Sequence, residues 1–478
     1  MSEAISFLID TEVTSAYLDE LLKFIRQHYI LALREHFTNI KLAVIDHDFV
    51  LAFTALGPEE KWHIDVEVRA EKPIRVRMVP GDRTVPQAAL DRLKEDLIIG
   101  VQLFEERVRR TTLYFAWVEG EKVIPEKTPL RRRKLLERIL LQNMLLLFII
   151  FIAISIFVFM ILGPYAPMVL IAFQLVLVLV SDKIIAGMGD WSITEENPSV
   201  HLLQYHLPAE EYVEFRKKYS RDLLIKIKGE IYQKTLAIGK AVDCETAEEV
   251  LSKYGSKCLP ENMSTKTVNV HQIVKKAAGK FNTPTPKIAI SNTILPNAAA
   301  SGPSPKHGIV LITTGLLVQL EDDEILSVVG HEFSHLKGRD PLILFTLTAS
   351  EYLLRVYVFL PLVMVLGYLY LLLALTVVYF IAKFFEAKAD LESAIKIGSP
   401  HVLAQALRKI GFRKLQFERI PAYRFQEWIR WDPHPPIYFR VSRLEKLKTP
   451  ETVKHPLIQS IKDNIRGFLA VLTRSRHT

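Results

Sequence analysis

Two histidines lie four residues apart, with a glutamate beside the first, in the stretch HEFSH at residues 331–335. On a helix, residues i and i+4 share one face, so the imidazoles of His331 and His335 can bind one metal ion together. The carboxylate of Glu332 can then accept a proton from a water molecule that the ion activates. This pattern predicts the chemistry of a zinc-dependent hydrolase.

The sequence around this motif predicts the helix that such a site requires. Carboxylates at every position from 321 to 324 precede it, and negative charge is favourable at a helix N-terminus. Gly338 and Pro341 follow and predict the end of the helix. The alternative is a chance match on a solvated helix face, which occurs in about one of forty chains with this histidine content. Apolar neighbours such as Val329 and Phe333 argue against it, because buried histidines need a partner.

A catalytic zinc site needs a third protein ligand, with the fourth position left for water. The best candidate lies in EAKAD, residues 386–390, where Glu386 and Asp390 again share one helix face at i and i+4. Glu386 would bind the metal, and Asp390 would orient a ligand histidine through a hydrogen bond.

Apolar segments indicate that this site is held beside a membrane. Residues 139–162 carry no charge and are long enough to cross a bilayer as a helix. A second apolar stretch, 167–188, follows GPYAP at 163–167, whose prolines and glycine predict the turn of a hairpin. The basic run RRRK at 131–134 precedes the first span, so the feet of this hairpin are predicted to face the cytoplasm.

The segment between Asp340 and Glu386 is also mostly apolar. One crossing would leave Glu386 on the opposite side of the membrane from His335, whereas two crossings of about 22 residues each would return it. Pro361 or Gly367 would mark the turn. The sequence therefore predicts a second hairpin and four spans in total.

Glu351 and Arg355 interrupt the third apolar helix at i and i+4, which predicts a mutual ion pair that faces the bundle interior.

The net charge is +8, but the basic residues cluster beside apolar segments, so we expect a membrane rather than a nucleic acid as partner. Cys244 and Cys258 form no CxxC pair, which excludes a cysteine-based zinc ribbon. The acidic first twenty residues lack the apolar core of a cleaved signal peptide.

These patterns predict an α+β fold class with membrane-spanning helices. Residues 1–134 alternate between strand and helix patterns and predict a soluble α+β appendage that carries no chemical motif. The remaining predicted segments are the first transmembrane hairpin (135–188), a helical linker (189–267), the first part of a zinc-binding catalytic domain (268–340), the second hairpin (341–385), and the rest of the catalytic domain with a C-terminal tail (386–478).

Four stretches, in this order, resemble the HtpX-type membrane zinc metallopeptidases, relatives of the CAAX prenyl endopeptidases. They are NAAASG (297–302), EDDEILSVVGHEFSHLKGRD (321–340), FFEAKAD (384–390) and DPHPPIYFRVSRLEKL (432–447). The resemblance implies a gluzincin-like catalytic domain that binds one zinc ion per chain.

The same resemblance implies a role for each site residue. The zinc ligands would be His331, His335 and Glu386, and Glu332 would be the general base and later the proton donor. Asp390 and Asp340 would support the ligands. The resemblance further places His434 at the scissile carbonyl to help hold the oxyanion, Arg440 as its support, and Asn297 on an edge that receives the substrate backbone by strand addition.

The resemblance also implies a biological setting. The protein would be a multi-pass endopeptidase of the cell membrane, with its N-terminus and catalytic domain in the cytoplasm. It would hydrolyse peptide bonds of membrane proteins in quality control, with the lipid bilayer as a further partner. Two alternatives stay open: a CAAX-type prenyl-protein endopeptidase, and a catalytically inactive membrane adaptor with a structural metal site.

Overall fold

The computed structural model describes residues 4–45, 48–81, 84–124, 144–207, 209–255, 262–447 and 453–474. The basic run at 131–134 and the start of the first predicted span, residues 139–143, lie outside the described residues.

The described strands are β1 (Ile5–Ile9), β2 (Phe37–Ile45), β3 (Asp48–Leu56), β4 (His63–Arg69), β5 (Ile74–Pro80), β6 (Thr112–Val118), β7 (Trp191–Ile193), β8 (Ser199–His206), β9 (Met263–Asn269), β10 (Lys287–Ser291), β11 (Ala298–Ser301) and β12 (Ile309–Thr313). The described α-helices are α1 (Leu18–Ile25), α2 (Gln87–Arg109), α3 (Met144–Leu162), α4 (Ala166–Leu179), α5 (Ser181–Ala186), α6 (Ala209–Lys218), α7 (Arg221–Lys234), α8 (Cys244–Lys253), α9 (Val270–Phe281), α10 (Thr314–Gln319), α11 (Asp322–Gly338), α12 (Asp340–Tyr357), α13 (Leu360–Leu366), α14 (Tyr368–Ile397), α15 (Pro400–Glu418), α16 (Pro421–Ile429), α17 (Ile437–Glu445) and α18 (Pro456–Arg474).

The chain forms two compact units, and each is built from two separate stretches. Unit 1 consists of Met1–Trp117 and His201–Lys266, and unit 2 consists of Val118–Val200 and Thr267–Thr478. The described residues include both α-helices and β-sheets, in agreement with the predicted α+β class.

Unit 1 contains an antiparallel five-stranded sheet of order β1-β5-β4-β3-β2. Apolar and polar residues alternate along strand β4, as in a strand with one buried face. Ile64, Val66 and Val68 are buried in the core, and the polar residues between them lie on the other face. Helices α1 and α2 add leucines to the same core, among them Leu21 and Leu97. These elements agree with the mixed strand and helix patterns of this part of the sequence, but unit 1 ends its first stretch at Trp117 and also includes His201–Lys266, unlike the predicted segment 1–134.

The region 189–267 differs from the predicted helical linker, because it contains strands as well as helices. Strand β8 lies between β6 and β9 in a three-stranded sheet, and β7 pairs with β10 in unit 2. The sequence SVHLLQYH of β8 is buried along nearly its whole length, so it lacks the in-out alternation by which strands are recognised.

Unit 2 is organised around a mixed four-stranded sheet of order β11-β12-β10-β7. Strands β10 and β12 run parallel, while β11 pairs antiparallel with β12 and forms one edge of this sheet. Helix α11, which carries the HEFSH motif, packs against α9, α14 and strand β11. Strand β11 thus forms a sheet edge directly after Asn297, the residue that the resemblance places on an edge.

Helix α11 begins and ends as its sequence predicts. Its first turn holds Asp322, Asp323 and Glu324, and the side chains of Glu321 and Glu324 form a reciprocal capping box. The helix ends at Gly338, because Arg339 adopts a left-handed conformation with φ of 52° and the next helix starts immediately.

Two helical stretches of the described chain are long and apolar enough to cross a membrane, namely Ile152–Leu179 and α14. The first joins α3 to α4 through the turn Gly163–Tyr165, within the predicted GPYAP turn. Helices α12 and α13 would add a third span if taken together, but they meet at an angle of 84°. The described residues therefore offer two candidate spans, or three with the bent pair, and the four predicted spans are not confirmed.

The second predicted hairpin has three segments instead of two. Pro361 lies in the first turn of α13, where it cannot continue the hydrogen bonding of α12, and Gly367 has φ of 52° just before α14. Both predicted turn residues therefore lie where one helix ends and the next begins. Inside α12, Arg355 Nε lies 3.4 Å from Glu351 Oε1, as the predicted ion pair requires.

Candidate metal centre

Three side chains from two helices converge in unit 2. The candidate ligand atoms of His331, His335 and Glu386 all lie within 4.8 Å of one another. The two Nε2 atoms are 3.3 Å apart, and the Glu386 oxygens lie 3.3 Å from Nε2 of His331 and 3.4 Å from Nε2 of His335. The structure thus brings together the three residues whose spacing predicts a metal site.

A buried carboxylate and a buried cation support His331. Nδ1 of His331 lies 2.9 Å from Asp390 Oδ1, and Arg440 binds that carboxylate with two hydrogen bonds of 2.8 and 2.6 Å. An ionised Asp390 accepts the proton of Nδ1, which leaves the Nε2 lone pair directed at the cluster. Arg440 was expected to support His434; its guanidinium instead holds Asp390.

His335 has an equivalent arrangement on the opposite side. Its Nδ1 lies 2.9 Å from Asp340 Oδ2, and Lys388 donates hydrogen bonds of 2.6 and 2.9 Å to the same carboxylate. Asp340 and Lys388 are both buried. Each histidine is therefore oriented by a carboxylate at Nδ1 so that its Nε2 faces the centre of the cluster.

The donor set fits a cation. The Nε2 atoms of two imidazoles and the oxygens of one carboxylate face one another, an arrangement that is stable only when a positive charge, from a proton or a metal ion, lies at its centre. Burial opposes a charge on His331, but Asp390 and Glu386 outweigh burial and raise its pKa to about 10. The pocket therefore stabilises positive charge, and nitrogen and carboxylate ligands suit zinc.

Glu332 turns away from the cluster toward the edge strand. Its Oε2 accepts a hydrogen bond of 2.8 Å from the backbone N–H of Ala300 on β11. Asn297 is exposed just before this strand, and its backbone N–H and C=O both bind Thr313 on β12. The helix thus places a carboxylate between the candidate metal ligands and the strand edge.

His434 approaches the cluster from a loop between α16 and α17. Its Nε2 lies 3.4 Å from Glu386 Oε2, and its Nδ1 lies 2.9 Å from Asp432 Oδ1. Burial raises the pKa of Asp432, but the hydrogen bond with His434 and the charge of Lys414 outweigh it and hold the pKa below its usual range. Asp432 therefore stays ionised and directs the ring, which is 46% exposed.

Sequence reasoning missed three residues that hold this site together. Lys388 lies within the EAKAD stretch itself, and Asp432 is the first residue of the DPHPP stretch. Both are therefore close in sequence to predicted site residues, although neither was predicted. Lys383 donates hydrogen bonds to the backbone carbonyls of Arg430 and Asp432 and ties the His434 loop to α14. Its only sequence signal was a charge at the end of an apolar run.

Known proteins match the part of the chain that carries this site. Residues 264–448 match the model described as Peptidase family M48. A Protease HtpX homolog from Pyrococcus furiosus is 30% identical over 230 residues, which cover 41% of this chain and 78% of that protein.

Further relatives with the same name match shorter segments. The protein from Thermodesulfovibrio yellowstonii is 43% identical over 94 residues, covering 20% of this chain and 32% of the relative. The protein from Moorella thermoacetica is 34% identical over 162 residues, covering 30% and 54%. The chain thus spans less than two thirds of these two relatives. No solved structure matches the chain.

The Pyrococcus furiosus relative is matched over most of its own length, and the matched family model covers every side chain of the histidine and glutamate cluster. The resemblance inferred from four short stretches is therefore confirmed, and the chain belongs to the HtpX-type M48 family of metallopeptidases.

Proposed function

We propose that this protein is a zinc-dependent endopeptidase of the cell membrane that hydrolyses peptide bonds of membrane proteins at the cytoplasmic face, in protein quality control. One observation carries the proposal. The convergent cluster of His331, His335 and Glu386 lies beside Glu332, whose carboxylate reaches the open edge of a sheet.

The candidate metal ligands and Glu332 would have separate roles in the reaction. A zinc ion held by His331, His335 and Glu386 would polarise the substrate carbonyl and make water a stronger nucleophile at neutral pH. Glu332 would take the proton of that water and return it to the leaving amine. Its hydrogen bond from Ala300 already orients the carboxylate for this task.

The edge strand supplies a surface for an extended peptide. Strand β11 pairs with β12 on one side, and a substrate segment would pair with its other side through backbone hydrogen bonds. Glu332 binds the N–H of Ala300, so a peptide added at this edge would pass directly by the carboxylate. Asn297, at the start of the edge, would contact the substrate.

His434 would stabilise the negative charge that develops on the substrate oxygen. Its Nδ1 is held by Asp432, so its Nε2 faces the site, where it would donate to the substrate oxygen when the ring carries a proton on both nitrogens. The half-exposed ring lies on the open side of the cluster, where a substrate would enter.

The proposed topology has four spans in two hairpins, with the N-terminus and the catalytic region in the cytoplasm. In the sequence, the basic run at 131–134 precedes the first predicted span, Lys183 lies near the end of the second, and residues 163–167 between them have no charge. In the second hairpin, Asp340 and Lys388 meet at 2.6 Å, so the chain leaves and returns at the same place.

The test compares wild type with Glu332→Gln in detergent. Both should bind about one zinc per chain, because Glu332 is not a ligand, and only wild type should cleave an unfolded protein such as casein. Glu196→Gln, an exposed glutamate of the same unit, serves as the matched control and should cleave normally. Absence of zinc from wild type would refute the metal site. Zinc without cleavage would favour the inactive adaptor.

One observation favours prenyl-protein processing as a second candidate. A cavity of about 470 Å³ lies among α4, α12 and α14, and it extends from Pro341, next to Asp340, to the pair of Glu351 and Arg355. Cavities of this size hold small apolar ligands. Faster cleavage of a prenylated CAAX peptide than of its unprenylated form would support this candidate, whereas equal rates would exclude a role of the lipid group.

A further inference from the structure

Helix α18 packs one of its faces against the protein and leaves a second, apolar face mostly exposed. Ser460 and Asn464 are fully buried, and Phe468 lies among aromatic side chains. A second line of apolar residues follows the helix at intervals of three and four positions. This line, called here the α18 stripe, consists of Ile458, Ile461, Ile465, Leu469 and Leu472.

The α18 stripe is open to the surroundings. The exposed fractions of Ile458, Ile465 and Leu469 are 52%, 42% and 51%. Exposed apolar residues spaced along one side of a helix are typical of a surface that contacts a partner or a membrane. The position of the stripe decides between these two.

Contacts with α14 fix the direction of α18. Arg443 donates hydrogen bonds of 2.6 Å to the carbonyl of Ala387 and 2.8 Å to the hydroxyl of Ser460, so the start of α18 lies near residue 387. Further along, the ring of Phe468 lies 5.4 Å from the ring of Phe380. Helix α18 therefore runs back along α14 toward its apolar part.

That part of α14 is the candidate membrane span. Residues 368–382 carry no charge, and Lys383 is the first charged residue after them. Phe380 lies within the charge-free run, so the C-terminal half of α18 lies beside it at the same depth. The indole N–H of Trp431 donates a 3.2 Å hydrogen bond to Thr376, about 6 Å deeper along α14.

We propose that the α18 stripe, together with Trp431, lies in the lipid headgroup region of the bilayer that α14 crosses. Tryptophans concentrate at this depth in membrane proteins. Lys462 and Arg466 are exposed along the border of the stripe, where they can bind lipid phosphates. The stripe continues from a membrane span, which identifies lipid as its partner in preference to a second protein.

This contact bears on the site, because Trp431 is adjacent to Asp432, which orients His434. Lipid would hold the loop that carries His434 at the membrane surface. The inference rests on α14 as a span and not on catalysis, so it can fail while the proposed function stands.

The test uses the full chain in lipid nanodiscs, with Cys244 and Cys258 replaced by serine and a single new cysteine carrying a fluorescent label. The new positions are Leu469→Cys and, as the matched control, Lys396→Cys, an exposed site about 24 Å beyond Phe380 along α14. Quenching is measured with spin-labelled phospholipid and, separately, with aqueous iodide.

The label at residue 469 should lose about half of its fluorescence or more to the lipid quencher, because interfacial helices bury their apolar face about 5–10 Å into the lipid. The label at 396 should respond to iodide alone. Quenching at 469 by iodide alone would overturn the proposal. Protection of 469 from both quenchers would overturn it too, because a protein would then cover the stripe. Ile465→Cys repeats the measurement if the first variant does not fold.

Discussion

At the residue scale, the site consists of two matched chains of charge. Arg440, Asp390 and His331 form one, and Lys388, Asp340 and His335 form the other. In each chain a buried cation pairs with a carboxylate, and the carboxylate binds Nδ1 of a histidine. The orientation of both candidate ligands is therefore set by residues outside the cluster itself.

Arg440→Lys tests the first chain of charge. Lysine keeps the positive charge but cannot form both hydrogen bonds to Asp390, so His331 should lose its fixed orientation. We expect zinc affinity to fall by about 10- to 100-fold, measured by competition with a chelator. Arg430→Lys, which alters an exposed ion pair with Glu427, should leave the affinity unchanged. Equal affinity in both variants would argue against this role of Arg440.

Lys388→Met tests the second chain of charge. The substitution leaves the Asp340 carboxylate buried without its cation, which should lower the free energy of unfolding by about 3–5 kcal/mol. Denaturant-induced unfolding in detergent would measure the change. Lys275→Met removes an exposed partner of Glu195 and should have no measurable effect. A stable Lys388→Met protein that still binds zinc would show that Asp340 needs no cation.

At the scale of elements, the site depends on the close approach of α11 and α14. Gly330, next to His331, lies where a β-carbon would come within 2.7 Å of Ile397 Cγ1 and 2.9 Å of Ser393 Oγ. Ser393 also donates a 2.7 Å hydrogen bond to the carbonyl of Ser327. The helices are therefore held at a distance that lets His331 and Glu386 share one centre.

Gly330→Ala should separate these helices. Overpacking in a tight interface costs about 1–3 kcal/mol, and the same displacement should weaken zinc binding. Gly279→Ala in α9 is the matched control, because no atom lies within 4 Å of its added β-carbon. Alanine should stabilise that helix by up to about 1 kcal/mol. Thermal unfolding of both variants distinguishes the outcomes, and equal stabilisation would contradict the close approach.

The sequence predicted those parts of the site that depend on local order. The spacing of His331 and His335 and the ends of α11 follow from helix geometry and capping. The pairing of Arg440 with Asp390 could not be predicted, because it joins residues 50 positions apart in the chain. The contact of Ala300 with Glu332 depends likewise on packing between a strand and a helix. Strand β8 was missed because both of its faces are buried.

At the scale of the whole molecule, unit 1 carries a buried histidine far from the HEFSH motif in sequence. His206 on β8 lies with its Nδ1 2.7 Å from the hydroxyl of Thr112 and its ring against Tyr17. Burial, and to a smaller extent the charge of Lys72, lowers the pKa of His206 from 6.5 to about 4. Folding of unit 1 therefore opposes protonation of this side chain.

The stability of unit 1 should consequently fall as the pH decreases from about 6.5 to about 4. In this window the unfolded chain binds a proton on His206 and the folded chain does not, so acid favours unfolding, by roughly 3 kcal/mol over the full window. Hydrogen exchange of the β8 amides in the full chain would measure it. His206→Asn should reduce the pH dependence, and an unchanged slope in this variant would exclude His206 as its source.

Unit 1 is built from two stretches of chain, and this has a consequence for the order of synthesis. Strands β1 to β5 have all been synthesised by residue 80 and can pair as soon as they leave the ribosome. Strand β6 must wait for its neighbour β8, and the apolar helices α3 and α4 are translated in between. The insertion machinery therefore meets these helices before the second sheet exists, so unit 1 is completed only after the first membrane segment has been delivered.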